Sequence, residues 1–516
     1  MSLLKKDNLF SFFVPLTFFV FVLITSHFRE VFTYNADEAI SLMTALLHSK
    51  GYILYQEILF DQPPLFVLVL SPILKLFGSS IYFFRVLLLF SSTLLIWALF
   101  KIIQKTLGNL PAICAVVLLS FSTYFMYLSI AVLRGLPAIS LAVLATYSLF
   151  LYQETGKKKH LVLSGCLMAL SLEMKFFTGI FIPVLLGQLI IFECGRNSST
   201  QSLLRRVVFL VLLWGASLTL VFIYISYFVV FMDFSQIYQP YALIRDHSLF
   251  KLQQNLRGFF VLKEWLKEEF DVFFLALGGL IFIVRRLITG GKKLKFVFVP
   301  FSLVLFSSLL IITHYPVWYT YRPLVLVPLS WLAAYGVKAA FSKKTFSLLF
   351  DKNIITKIQG IIVIGSIGAI LILAILFIPL KYSIFQDAVA QAPKLSEYQK
   401  TINLIKQYDS QAKCGSPFVI ADESTIPFYA GLLTHPYLAG ASYKRFFTRM
   451  ISVDVIAQII RKEKPRFIIL NRFLMFSKIV YLLKDYKAIG NNCYVLKTLL
   501  IDSTHFLGVG VGKNQS

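Results

Sequence analysis

The chain is short of acid. Among 516 residues it has 25 Asp and Glu against 50 Lys and Arg, a formal net charge of +25. Charge of either sign is scarce, at 15% of residues. A soluble protein with this balance would bind nucleic acid through one basic patch or stripe. Here the basic residues fall in short segments between long apolar runs. That argues against nucleic acid and for Lys and Arg retained in cytoplasmic loops. Cysteine is scarce too, and five residues exclude a disulfide scaffold. Cys114, Cys166 and Cys194 lie in or beside apolar runs; Cys414 and Cys493 lie in the tail and would be able to pair if it faced an oxidising compartment. The chain has no glycine-rich phosphate loop, CxxC pair, HExxH motif or internal repeat. Phosphate-loop, dithiol, zinc-hydrolase and solenoid readings therefore lack their signatures. Lys5-Lys6 precede an apolar run with no small-residue cleavage site after it, so that run is expected to remain as a membrane span.

Apolar residues are what the chain has in excess. They make up 58% of it, and the mean hydropathy is +0.76. Those values imply a polytopic membrane protein. Runs near the length of a span predict crossing helices at 9–27, 84–101, 111–130, 134–152, 160–174, 176–193, 207–231, 271–284, 296–313, 321–340 and 358–380. Segment 63–77 carries Pro63, Pro64 and Pro72 and is short for a span, so it reads as re-entrant or interfacial. Leaving it out puts Lys5-Lys6, Lys101 with Lys105, Lys157-Lys158-Lys159, Arg196 with Arg205-Arg206, Arg285-Arg286 with Lys292-Lys293, and Lys343-Lys344 with Lys352 on one side. The expected result is about eleven crossings, amino terminus cytoplasmic and carboxyl terminus outside. Loop 28–83, the Arg134 turn, the Glu173–Lys175 turn, loop 232–270, the His314–Tyr321 turn and the tail then share the outer side.

After Leu380 the composition becomes soluble-like, with strands expected at 417–421, 466–470 and 493–497 and helices at 426–432, 453–462 and 476–485. The expected fold class is mainly α: a transmembrane helix bundle over 1–380, whose outer loop 28–83 carries juxtamembrane helices, and a small extracytoplasmic α/β domain over 381–516.

Asp37 and Glu38 open a stretch with Ile40, Met43, Leu46 and Leu47 at helical spacing. Acidic residues suit a helix's first turn; a carboxylate aimed at a hydroxyl also suits a general base. Asp61-Gln62-Pro63-Pro64-Leu65 forms a corner whose prolines set the chain direction. Arg85 begins the next span, either snorkelling or binding an anion. Arg134 and Lys175 sit at outer turns, where the positive-inside bias disfavours cations. Segment 314–322, with His314, Tyr319, Tyr321 and Arg322, reads as an interfacial aromatic belt around an outer cation. Asp422-Glu423-Ser424-Thr425 reads as a helix cap by Ser424 or Thr425, or as a contact to a sugar or cation. A carboxylate plus several cations suits displacement from a lipid-linked phosphate: the cations stabilise the leaving oxygens and the carboxylate deprotonates an incoming hydroxyl. No second acid is needed, because a phosphate leaves without protonation, unlike the alkoxide of glycoside hydrolysis.

These motifs resemble the polytopic membrane glycosyltransferases of the GT-C fold related to protein O-mannosyltransferases and lipid A aminoarabinose transferases. The resemblance covers residues 30–340, and more loosely the tail. It rests on Asp37-Glu38, Gln62-Pro63-Pro64-Leu65, Leu76-Phe77-Gly78 with Arg85, Lys175 with Gly179 and Pro183, and Tyr321-Arg322-Pro323 through Ala333-Ala334. It implies a polyprenyl- or dolichyl-phosphate sugar donor, inversion at the anomeric carbon and Asp37 as base, with Glu38 beside it. Arg85, Arg134, Lys175 and Arg322 are the expected donor-phosphate contacts, and Asp61, Gln62, His314, Tyr319 and Tyr321 the expected substrate contacts. Two positions depart from the family pattern. Gln62 stands where the family has a basic residue or His, and Arg134-Gly135-Leu136-Pro137 lacks the acid of an Arg-x-Asp turn. The expected acceptor is a lipid, glycan or protein. No cofactor is certain; a phosphate is able to bring a divalent cation, yet no ligand set is visible. The alternatives are a transporter or flippase of lipid-linked sugars, and a scaffold using its tail as a binding module.

Overall fold

The computed structural model describes residues 2–196, 200–246, 248–288, 296–314, 317–342, 354–411, 416–441, 445, 450–470, 482–490 and 493–497. In chain order its helices begin with α1 (Ser2–Thr25), α2 (Ala36–Ser49), α3 (Leu65–Phe77), α4 (Ile81–Leu107), α5 (Asn109–Ser120), α6 (Thr123–Ile130), α7 (Gly135–Thr155), α8 (Lys158–Met174) and α9 (Phe181–Cys194). Then come α10 (Thr200–Ile223), α11 (Phe234–Asp246), α12 (Ser248–Glu268), α13 (Phe270–Ile288), α14 (Phe298–Thr313), α15 (Arg322–Ala340), α16 (Ile354–Ala390), α17 (Leu395–Gln411), α18 (Thr425–Ala430) and α19 (Val453–Glu463). Strands β1 (Ser416–Ala421), β2 (Leu433–Thr434), β3 (Pro465–Ile469), β4 (Tyr486–Gly490) and β5 (Cys493–Leu496) complete it. The chain divides into two compact units: Met1–Ser26, Arg85–Val229 and Ser248–Ala390 form one, and His27–Phe84, Val230–His247 and Gln391–Ser516 the other.

The first unit is the membrane-type bundle. Among the described residues six helices are long and apolar enough to cross a membrane, or seven if α5 and α6 count as one broken span. Helix α15 is the most enclosed, with 94% of its apolar window buried. Its sequence is apolar all round, as a helix surrounded by protein must be. In lipid the hydrophobic effect does not drive helices together, so close backbone approach does. Gly279 of α13 and Gly336 of α15 supply it: a Cβ on either would fall on a carbonyl of the opposite helix, Leu332 and Leu275 respectively.

The sequence predicts one span over 111–130, but α5 and α6 are bent by 70° at Phe121 and Ser122. At the break Ser122 has extended backbone (φ −64°, ψ 125°), and its hydroxyl donates to Glu269 at 2.5 Å. The last span runs to Ala390 rather than ending at Leu380, so Lys381 lies within a helix. Segment 63–77 is a 13-residue helix, α3. At 1.5 Å per residue it reaches only about 20 Å, less than the roughly 30 Å of a hydrocarbon core.

The second unit has a hydrophobic core of Val419, Ile420, Phe467, Ile468 and Val495, each at most 1% exposed. The sheet order is β2-β1-β3-β5-β4. β1 pairs in parallel with β2 and β3, which requires the intervening helices as crossovers; β5 is antiparallel to β3 and β4. Helix α19 packs Ile456 and Ile460 inward. Ser452 caps it by accepting from Val455 N–H, and Arg461 and Lys462 complement the dipole at its end. The expected helix at 476–485 is not found at its end: 482–485 form a 3-10 turn leading into β4, and 476–481 lie outside the described residues. β4 is an edge strand whose Lys487 is exposed. Ser424 is the N-cap residue of α18, but its side chain makes no capping bond and accepts instead from Thr434 Oγ1 at 3.2 Å.

The suggested Cys414–Cys493 pairing falls partly outside the described residues. Cys414 lies outside the described residues, and Cys493 is a free thiol, fully buried in β5. Burial in the apolar sheet core pushes that thiol up to about 12.

Candidate active site

The sequence-predicted residues divide between the two units. Asp37, Glu38, Asp61 and Gln62 lie in the second unit; Arg85, Arg134, Lys175, His314, Tyr319, Tyr321 and Arg322 lie in the first.

In the second unit the structure separates two adjacent carboxylates. Asn35 caps α2, its side chain accepting from Asp37 N–H at 2.7 Å. Glu38 is 1% exposed. Its Oε2 accepts from Tyr34 N–H at 2.9 Å and from the Thr33 hydroxyl at 3.1 Å. This is a variant of the capping box, reaching one residue further back than usual. Asp37, one position earlier and about 100° around the helix, has an exposed side chain.

The 52–62 corner is braced from three directions. Tyr55 Oη donates to the Gln62 carbonyl at 2.6 Å. Gln236 accepts from Phe60 N–H at 3.2 Å and donates to the Tyr55 carbonyl at 2.5 Å. Arg445 donates to the Leu59 carbonyl at 2.7 Å and faces Asp61 at 3.3 Å. Arg445 is 1% exposed, and burial lowers its pKa against the pull of Asp61. Asp61 thus neutralises a buried guanidinium. The sequence reading missed Arg445, because Lys444-Arg445 reads as an ordinary basic pair in a polar stretch.

In the first unit most of the expected cations and aromatics converge on one turn. Tyr321, 4% exposed, shares a 3.2 Å hydrogen bond with His314 Nε2. Phe177 meets the Tyr321 ring edge-on at 5.2 Å. Lys175 sits at the break after α8 with Nζ 5.0 Å from the Phe177 ring and 5.1 Å from the Tyr321 ring. The Thr178 hydroxyl holds that break by donating to the Lys175 carbonyl at 3.0 Å. Tyr319 lies against Tyr124 and Tyr127. Arg134 is the N-cap residue of α7, and Gly135 beside it packs on Thr320.

Arg322 opens α15, where Pro323 sets the first turn. It is 5% exposed. Its guanidinium carbon lies 3.5 Å from the Tyr124 ring centroid and 5.2 Å from that of Trp265. Its Nη2 meets Glu268 at 2.5 Å. The sequence reading missed Tyr124, Trp265 and Glu268. Glu268 stands in a run of alternating charge that reads as a solvated helix face. Arg85 does not snorkel: it is fully buried near the start of α4.

A second buried cluster lies on the same turn as Glu268. Lys381 Nζ donates to Glu269 at 2.7 Å and to both Asp271 oxygens at 2.8 and 2.9 Å. Among the described residues no group of three or more His, Cys, Asp or Glu side chains is placed to hold a metal ion.

Residues 61–232 match the family model "Dolichyl-phosphate-mannose-protein mannosyltransferase". No curated protein matches the chain by sequence. Solved structures match across most of it. ArnT from Cupriavidus metallidurans, bound to undecaprenyl phosphate, superposes with a TM-score of 0.58 at 12% identity, covering 93% of this chain and 97% of that one. The archaeal oligosaccharyltransferase AglB from Archaeoglobus fulgidus, in complex with an inhibitory peptide and a dolichol-phosphate, matches with a TM-score of 0.51 at 12% identity, covering 89% of this chain and 69% of that one. An Archaeoglobus fulgidus oligosaccharyltransferase in complex with Zn and sulfate matches with a TM-score of 0.50 at 13% identity, covering 89% and 68%. The chain is a polytopic membrane protein with this GT-C-like fold.

Proposed function

We propose that this protein is a membrane glycosyltransferase that moves a sugar from a polyprenyl-phosphate donor to an acceptor hydroxyl on the extracytoplasmic side. The observation that carries the reading is the buried Arg322, held on two aromatic faces beside the Lys175–Tyr321–His314 group. Aromatic faces hold a guanidinium in place with its donors directed outward, which suits a phosphate whose charge grows as it leaves. The fold shared with proteins crystallised with undecaprenyl phosphate and dolichol-phosphate supports the same donor class.

In the proposed reaction Asp37 takes the proton of the acceptor hydroxyl. The acceptor oxygen forms its bond to the anomeric carbon from the face opposite the phosphate. The bond from that carbon to the phosphate oxygen breaks, and the phosphate keeps the electron pair, inverting the centre. Arg322 and Lys175 stabilise the departing phosphate, with Arg134 and Arg85 as further donor contacts. Asp61, Gln62, His314, Tyr319 and Tyr321 shape the substrate region. Glu38 has the supporting role of fixing the turn before Asp37. The neutral Gln62 leaves the corner one cation poorer than the family pattern, so the aromatic-backed cations carry more of the phosphate charge. No step is routed through a divalent ion.

The buried Lys381–Glu269–Asp271 group is what a transporter would share, since ionisable residues within spans mark substrate or ion paths. The test separates the two readings. In liposomes with a labelled lipid-phosphate sugar, Asp37→Asn is expected to cut transfer by about 10²–10⁴-fold, the usual worth of a general base, with donor binding and folding retained. Wild-type turnover in that variant would remove Asp37 as base. Label that crosses the bilayer without covalent transfer would favour the transporter.

A further inference from the structure

A buried cation paired with an exposed anion is an unusual ion pair. The Arg322 side chain is 6% exposed and that of Glu268 is 48% exposed. Among the described residues Arg322 Nε and Nη1 have no hydrogen-bond partner, and Nη2 is held by Glu268. A guanidinium offers two edges for bidentate binding, Nε with Nη2 and Nη1 with Nη2. Both include the nitrogen that Glu268 holds. An anion binding either edge meets the Glu268 carboxylate on the same nitrogen, and in a partly dry site that repulsion is large.

The backbone at this point is anchored while the side chain is not. Glu269, the next residue, is 5% exposed and bonded to Lys381 and Ser122. Asp271, two residues on, binds the same Lys381. The turn between α12 and α13 therefore stays fixed, and the Glu268 carboxylate alone is placed to swing into water.

We infer that Glu268 is an exchangeable counter-ion of Arg322, which the phosphate of the lipid-linked donor displaces, so that Glu268 sets the affinity for that phosphate and gates the cation. This rests on the phosphate-binding role proposed for Arg322. The Lys381 cluster then acts as a positioning device for the gate.

The test titrates the purified full-length protein with a polyprenyl phosphate, using the matching polyprenol to measure binding of the apolar chain alone. Glu268→Gln keeps the acceptor oxygen and removes the charge. It is expected to bind the phosphate roughly tenfold more tightly, about 1.4 kcal/mol, with polyprenol binding unchanged. Arg322→Gln is expected to weaken phosphate binding by at least that factor. If Glu268→Gln gains nothing while Arg322→Gln weakens binding, the counter-ion inference fails and the role of Arg322 stands. If neither variant alters binding, both fail. A measurement on the wild type avoids any folding defect: carbodiimide labelling of Glu268, read by mass spectrometry, is expected to rise several-fold on saturation with polyprenyl phosphate and not with polyprenol. An unchanged or lower label at Glu268 would overturn the inference.

Discussion

Two adjacent carboxylates, Asp37 and Glu38, show how little a residue type says without its surroundings. In the sequence they read as first-turn acids before they read as a catalytic pair. In the structure Glu38 is spent on the Tyr34 N–H and Thr33 hydroxyl, while Asp37 stays exposed. Glu38→Ala removes a buried charged acceptor and is expected to lower stability by about 1–3 kcal/mol. Asp37→Ala, at the surface, should stay within about 0.5 kcal/mol of wild type. Thermal unfolding in detergent measures both. His435 gives a prediction for pH. Its Nδ1 accepts from Tyr437 N–H at 3.3 Å, which requires the neutral ring. Burial and Lys462 lower its pKa below the ordinary 6.5, with Glu463 opposing. A lowered folded pKa means that the unfolded chain takes up the proton first as pH falls. The contribution of His435 to stability is therefore full above about 6.5 and lost progressively below it. His435→Asn keeps a capping acceptor without the titration and should flatten the fall in melting temperature between pH 6.5 and 5.

At the scale of elements, the sequence periodicity locates helices and misplaces their ends. The 111–130 run carries Ser120, Ser122 and Thr123 at its bend, but Ser91-Ser92-Thr93 stand inside the unbroken α4, so such residues do not by themselves mark a break; the partner of Ser122 is 147 residues away. The α13–α15 contact depends on two glycines whose purpose appears only when the helices are brought together. Gly336→Ala places a methyl group on the Leu275 carbonyl. It is expected to destabilise the bundle by about 1–3 kcal/mol, the usual cost of overpacking. Gly368 of α16 has no atom within 4 Å of an added Cβ. Gly368→Ala should be neutral or stabilising by up to about 1 kcal/mol, from helix propensity alone. The difference between the two melting temperatures isolates packing from propensity.

At the scale of the whole molecule, the proposed chemistry depends on sidedness. The positive-inside reading places position 37, the aromatic turn at 314–322 and the tail outside, and Lys157-Lys158-Lys159 inside. Single cysteines introduced at the exposed Asp37 and Trp318, in a background lacking the native cysteines, are expected to react with a membrane-impermeant thiol reagent from the outer face of intact cells. A cysteine at Lys159 should react only after permeabilisation. Labelling of 37 and 318 from opposite faces would remove the common outer compartment that the proposed reaction requires.

Hydropathy and charge placement by themselves determined that this chain is a polytopic helix bundle with a small α/β tail, and the short motifs pointed to Lys175, Tyr321 and Arg322. Both signals are local: a span or a strand is set by residues a few positions apart. The partners were decided only by the tertiary structure. The Asp61–Arg445 pair joins positions about three quarters of the chain apart, and Lys381 meets Glu269 across 112 residues. Glu268 reads as a solvated charge until the fold sets it on Arg322. A charge's role depends on which opposite charge is near and how dry the space between them is, and both are properties of packing rather than of sequence order.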